Sequence, residues 1–71
     1  MTKLPQTSSK ELIVFLGKYG FQYDRTKGSH HVLKHSDGRI VTVPERKVLG
    51  KGLLSSILAQ AGISREEFMG N

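Results

Sequence analysis

The sequence predicts a single α+β domain of α-β-β-β-α order, a three-stranded antiparallel sheet with helices packed on one face. Two capping boxes that open helices, apolar residues at helical spacing near both ends, and a β-branched hairpin between them carry that prediction. With 71 residues the chain makes one small domain over residues 1–71. That is near the lower size at which a chain buries enough apolar surface to fold unaided, so a large enclosed pocket is not expected.

The first helix is announced by Ser8-Ser9-Lys10-Glu11, in which the Ser8 hydroxyl and the Glu11 carboxylate satisfy backbone N–H groups reciprocally. Leu12, Phe15, Leu16 and Tyr19 then form an apolar stripe, and Gly20 ends the helix. A short strand from Phe21 to Arg25 follows. The hairpin comes next, with a two-residue Asp37-Gly38 connection of the type I′ kind. If Ser36 faces Arg39, then Lys34 faces Val41 and Val32 faces Val43. His30, Val32, Lys34, Val41 and Val43 then share the face expected to pack under the helices. His31, Leu33, His35, Ile40 and Thr42 share the other.

Pro44 ends the strand, and Glu45 to Gly52 reads as a charged loop flanked by Gly50 and Gly52. The second helix carries Leu53, Leu54, Ile57, Leu58 and Ala61, and Gly62 closes it. Ser64-Arg65-Glu66-Glu67 repeats the capping box for a last helical turn, in which Phe68 is expected to pack back on the core.

The absence of cysteine excludes a disulfide staple and a thiolate metal site, and fits a reducing cytoplasm. No apolar run has membrane-spanning length, and the opening Met1-Thr2-Lys3-Leu4-Pro5 lacks the apolar stretch of a signal peptide. The expectation is a soluble cytoplasmic protein without membrane contact. The formal charge is +5, and the whole surplus lies between Arg25 and Lys51. There Arg25, Lys27, Lys34, Arg39, Arg46, Lys47 and Lys51 stand against Asp37 and Glu45 alone. A localised basic region is the footprint of a nucleic-acid binder, because each neutralised phosphate releases counterions; a generally basic, solubilising surface is the plainer reading.

All three histidines, His30, His31 and His35, fall on the hairpin within that basic region. Imidazole exchanges protons near neutral pH, so the cluster points to acid-base chemistry on a polyanion. A shared metal ion does not fit the spacing. His30 and His31 point to opposite faces of a strand, and His31 and His35 lie about 13 Å apart, against Zn–N bonds of about 2 Å. No metal or other cofactor is expected. Ser29 beside His30 lacks the elbow and orienting acid of a serine hydrolase, and Gly50-Lys51-Gly52 is not a nucleotide-binding loop. Lys51 is a phosphate-contact candidate at a helix entry.

Two readings remain open on residue types alone. Either the histidines are partly exposed strand residues, or one of them cleaves RNA without metal by removing the 2′-hydroxyl proton while nearby cations stabilise the added charge on phosphorus.

Lys27-Gly28-Ser29-His30-His31, His35-Ser36-Asp37-Gly38-Arg39, Val41-Thr42-Val43-Pro44, Gly52-Leu53-Leu54, Ser56-Ile57-Leu58, Ala61-Gly62-Ile63-Ser64 and Glu67-Phe68 occur in an order and spacing that resembles the HicA toxin family. The resemblance covers nearly the whole chain. It implies a fold similar to double-stranded RNA-binding domains, endoribonuclease activity on mRNA as the toxin of a toxin-antitoxin module, and a HicB antitoxin that binds the toxin and covers its active site. It implies no DNA binding by the toxin alone.

The family's catalytic histidine, the one directly after Gly-Ser, maps onto His30. Gly28 and Ser29 present it, and Lys27, Gly28, Ser29, His31, Lys34, His35, Arg39 and Lys51 are the RNA-binding candidates, with Arg46 and Lys47 behind them. Where many members place a further histidine after Val-Pro, this chain has Glu45-Arg46-Lys47, and early in the second helix, where related chains often carry a cation, it reads Ser55-Ser56. A non-catalytic RNA-binding module with the same element order, and a basic protein that binds an acidic partner, are the competing functions.

Overall fold

The computed structural model describes residues 6–70. The opening segment read above as lacking a signal peptide therefore lies outside the described residues, except for what its sequence says. The order is α1 (Ser9–Lys18), β1 (Phe21–Lys27), β2 (His30–His35), β3 (Ile40–Pro44), α2 (Lys51–Ala61) and a single turn α3 (Arg65–Phe68). The strands form one antiparallel sheet in the order β1-β2-β3. Among the described residues, no helix is long and apolar enough to cross a membrane.

Both capping boxes form as expected, at Ser8 with Glu11 and at Ser64 with Glu67. Leu12 and Leu16 of α1 are fully buried, whereas Phe15 and Tyr19 flank the core. α2 contributes Leu54, Ile57, Leu58 and Ala61, and Leu53 is only half-buried. Gly62 takes the left-handed conformation at φ +71°, and Ile63 N–H donates to Leu58 O, a helix exit that turns α3 back over the core. Phe68 then meets Phe15 edge-on at 4.8 Å between ring centroids.

The hairpin between β2 and β3 departs from the expected two-residue turn. His35 N–H donates to Arg39 O and Gly38 N–H to His35 O, so Ser36, Asp37 and Gly38 form a three-residue connection. Among the described residues only glycines have positive φ, and Gly38 is at +99°. A type I′ turn would need positive φ at Asp37 as well. Asp37 instead keeps ordinary backbone and uses its carboxylate to accept the Arg39 N–H at 3.0 Å.

That extra residue shifts the register by one: Lys34 lies opposite Ile40, Leu33 opposite Val41, and His31 opposite Val43. The expected face of His30, Val32, Lys34, Val41 and Val43 is therefore corrected. Leu33, Val41 and Val43 lie under the helices with His31 and His35 at the ends of that face, because a one-residue slip turns every side chain over. His30, Val32, Lys34, Ile40 and Thr42 occupy the open face.

β1 runs to Lys27, two residues beyond expectation, and contains a bulge. Tyr23 pairs with Leu33 but Arg25 pairs with Val32, leaving Asp24 extra. The expected charged loop after β3 is shorter too, since α2 already starts at Lys51. Leu49 within it is buried and bridges to Thr7, with Leu49 N–H donating to Thr7 O at 2.7 Å.

Candidate functional site

The two residues Gly28 and Ser29 connect β1 to β2, and Gly28 has φ +63° in open space. A hairpin turn at this length wants positive φ at its first residue, so glycine here serves the turn's conformation. The turn sets His30 as the first residue of β2, between Lys27 on β1 and Pro44 on β3. Its ring is exposed on the open face. Among the described residues, the His30 imidazole makes no hydrogen bond or ion pair.

His31 has the opposite character. Its Nε2 meets the Glu45 carboxylate, and its Nδ1 lies 2.9 Å from the Tyr23 hydroxyl and 3.2 Å from the Thr26 hydroxyl. A carboxylate only accepts, so the neutral ring carries its proton on Nε2 and leaves Nδ1 to accept from the hydroxyls. One imidazole thus ties together β1, β2 and the segment after β3. Glu45 also donates its backbone N–H to Ser29 O at 2.7 Å, which fastens the residue immediately before His30. Ser9 holds this segment from the other side: its buried hydroxyl donates within reach of Pro44 O and Arg46 O and accepts from Arg46 N–H.

His35 sits at the far end of β2 and serves the scaffold. Its Nε2 lies 3.1 Å from Tyr19 O at the end of α1, and its Nδ1 accepts from Asp37 N–H. A Cβ on Gly20, already at φ +92°, would fall 2.8 Å from that Nε2. Arg39 is engaged there as well. Its guanidinium pairs with Asp37, donates to Ala61 O at the end of α2, and lies over the Phe21 ring at 5.2 Å. The N–H of Arg39 is the first cause, and its side chain a further one, holding the Asp37 carboxyl below its ordinary value.

The structure therefore brings Lys27, Gly28, Ser29 and His30 together at one end of the sheet, with Lys34 farther along the same open face. His31 stands beside them on the helix-covered side, and His35 and Arg39 lie at the opposite end of the hairpin. Five residue steps along the strand separate His30 from His35, about 16 Å. Arg46 and Lys47 follow β3, and Lys51 is the first residue of α2. Among the described residues no group of three or more His, Cys, Asp or Glu side chains could hold a metal ion.

Sequence reasoning passed over Tyr23, Thr26, Glu45 and Ser9. Glu45 was within reach of it, because His31 opposite Val43 makes Glu45 the diagonal neighbour; the shifted register hid that pairing.

Element order and sheet topology make this a small α+β domain of the kind seen in double-stranded RNA-binding domains, with an exposed histidine on a basic sheet face. The family model described as the HicA toxin of bacterial toxin-antitoxin systems matches residues 9–63, from the first residue of α1 to Ile63 beyond α2. The chain belongs to the HicA toxin family. A toxin of such a module implies an antitoxin partner. No curated protein matches the chain.

Proposed function

We propose that this toxin is a metal-independent endoribonuclease that cleaves mRNA, with His30 as its general base. The observation that carries the reading is the His30 ring: it is exposed and unpartnered on the open face, while His31 and His35 are committed to hydrogen bonds within the fold. A base must be free to take a proton from substrate.

In the reaction, His30 removes the proton of an RNA 2′-hydroxyl. The 2′-oxygen bonds to the adjacent phosphorus, the bond from phosphorus to the 5′-oxygen breaks, and that oxygen takes up a proton. The products are a 2′,3′-cyclic phosphate and a 5′-hydroxyl end. Lys27, opposite His30, supplies positive charge for the phosphorane oxygens, Lys34 is a phosphate contact farther along the same face, and the Gly28-Ser29 turn presents the base. His31, His35, Arg39 and Lys51 were also RNA-contact candidates. The bonds that hold His31, His35 and Arg39 favour supporting roles for these three, and Lys51 keeps its place as a phosphate contact at a helix start. DNA lacks the internal nucleophile and is not a substrate. Cleavage of messages in the cytoplasm slows translation and growth until a HicB-type antitoxin covers the His30 face.

The test is an RNA oligomer and its 2′-deoxy analogue incubated with purified protein in chelator. Cyclic phosphate ends on the RNA and an intact analogue are expected, and folded His30→Ala protein should lose at least about 100-fold in rate. Undiminished cleavage by that variant overturns the assignment. RNA retained but uncut by the parent protein would instead mark a binding module.

A further inference from the structure

The bulge in β1 decides which cations share a face with His30. In an unbroken register Arg25 would follow Tyr23 onto the helix-covered side and Lys27 would do the same. The extra residue Asp24 turns the strand over, so that Arg25 lies opposite Val32 and Lys27 opposite His30, both on the open face. Asp24 itself binds the two cations beside it: its Oδ2 meets Arg25 Nη1 and stands 3.7 Å from Lys34 Nζ. The side chains of Arg25 and Lys34 are 58% and 50% exposed, so a ligand can reach both from solvent.

A carboxylate held by a guanidinium and an ammonium has the donor set that a phosphate diester would take in its place. A phosphate oxygen, like the Asp24 Oδ2, accepts charge-assisted hydrogen bonds from a guanidinium and an ammonium together. We propose that Arg25 and Lys34 form a phosphate seat for RNA on the same face as His30, and that Asp24 occupies this seat as an internal anion with which the RNA backbone competes. Arg25 thereby becomes a substrate-binding residue, and Asp24 a built-in brake on affinity. The proposal rests on RNA being the substrate of the open face. It assigns that face a second phosphate position, displaced along the strands from the one at which His30 acts.

The two variants have opposite expected signs, and a charge removed elsewhere on the surface separates a local seat from a general charge effect. Binding of a fluorescent 2′-O-methyl RNA oligomer, which cannot be cleaved through its 2′-oxygen, is measured by anisotropy over a range of salt. Arg25→Gln should weaken binding about fivefold and make the salt slope shallower by about 0.7, the value for one lost contact to a single strand. Asp24→Asn should tighten binding by about the same factor. Lys10→Gln, which removes one exposed charge from α1 on the other side of the sheet, should change the affinity less than about twofold and leave the slope as it was.

If Arg25→Gln behaves like Lys10→Gln, or Asp24→Asn binds no more tightly than the parent, the seat is overturned while RNA as substrate stands. If the parent protein does not bind RNA at all, both fall together.

Discussion

Removing one hydroxyl from the first turn of α1 should loosen the segment that carries Glu45. Ser9 is fully buried, and its Oγ lies 2.9 Å from Pro44 O and 2.7 Å from Arg46 O while accepting the Arg46 N–H. Ser9→Ala keeps the volume nearly unchanged but leaves that N–H without its acceptor and Pro44 O without its donor. Arg46 O retains the Ser9 backbone N–H at 3.0 Å. One partly buried donor left unmade costs about 1–3 kcal/mol, and the shared donor adds a fraction of a bond, so about 2 kcal/mol is expected. For a domain of this size that lowers Tm by about 8–16 °C.

Thermal unfolding followed by circular dichroism at neutral pH reads the change. RNA cleavage well below the new Tm should also slow, because the freed segment is the one that fastens Ser29 beside His30. A fall in Tm of less than about 3 °C would show that solvent replaces the Ser9 bonds and that the staple contributes little.

Glu45→Ala removes the carboxylate on His31 and leaves the backbone bond to Ser29 O as the tie between this segment and the start of β2, so single-turnover cleavage should slow about tenfold with little change in affinity for uncleavable RNA. An unchanged rate would mean that the backbone bond from Glu45 to Ser29 suffices to position His30. The acid limb of stability should depend on Asp37, whose carboxyl is held below its ordinary value of 3.8 chiefly by the Arg39 N–H. A depressed carboxylate stabilises the fold fully above its unfolded pKa, and this is lost as pH falls through the folded value. Tm of Asp37→Asn should therefore lie below that of the parent at neutral pH and converge with it as pH drops from about 5 to about 2, and a constant gap would rule out the ionised carboxylate as the cause.

Much of the architecture is legible in the chain because it rests on local chemistry. Ser8 with Glu11 and Ser64 with Glu67 each close a capping box within four residues, and Gly20 and Gly62 stand where helices end in left-handed backbone. The hairpin, its three histidines and the basic window are likewise read directly from residue order. His30 following Gly28-Ser29 needs only the short turn that those two residues make.

What resists reading is whatever depends on residues far apart in the chain. The Asp37-Gly38 pair suits a two-residue turn, but Arg39 bonds to Ala61 O and packs over Phe21, contacts that accompany the longer connection and the register that goes with it. The roles of the three histidines follow from that register. It leaves His30 open, turns His31 toward Tyr23 and Glu45, and seats His35 against Tyr19 at the end of α1. The Asp24 bulge is equally silent in sequence, although it turns Arg25 and Lys27 onto the face of His30. Residue types and local spacing specify which helices and strands form and which side chains could do chemistry. The face on which each side chain emerges is set by strand register, and register is chosen by the burial of Leu33, Val41 and Val43 against helices from both ends of the chain.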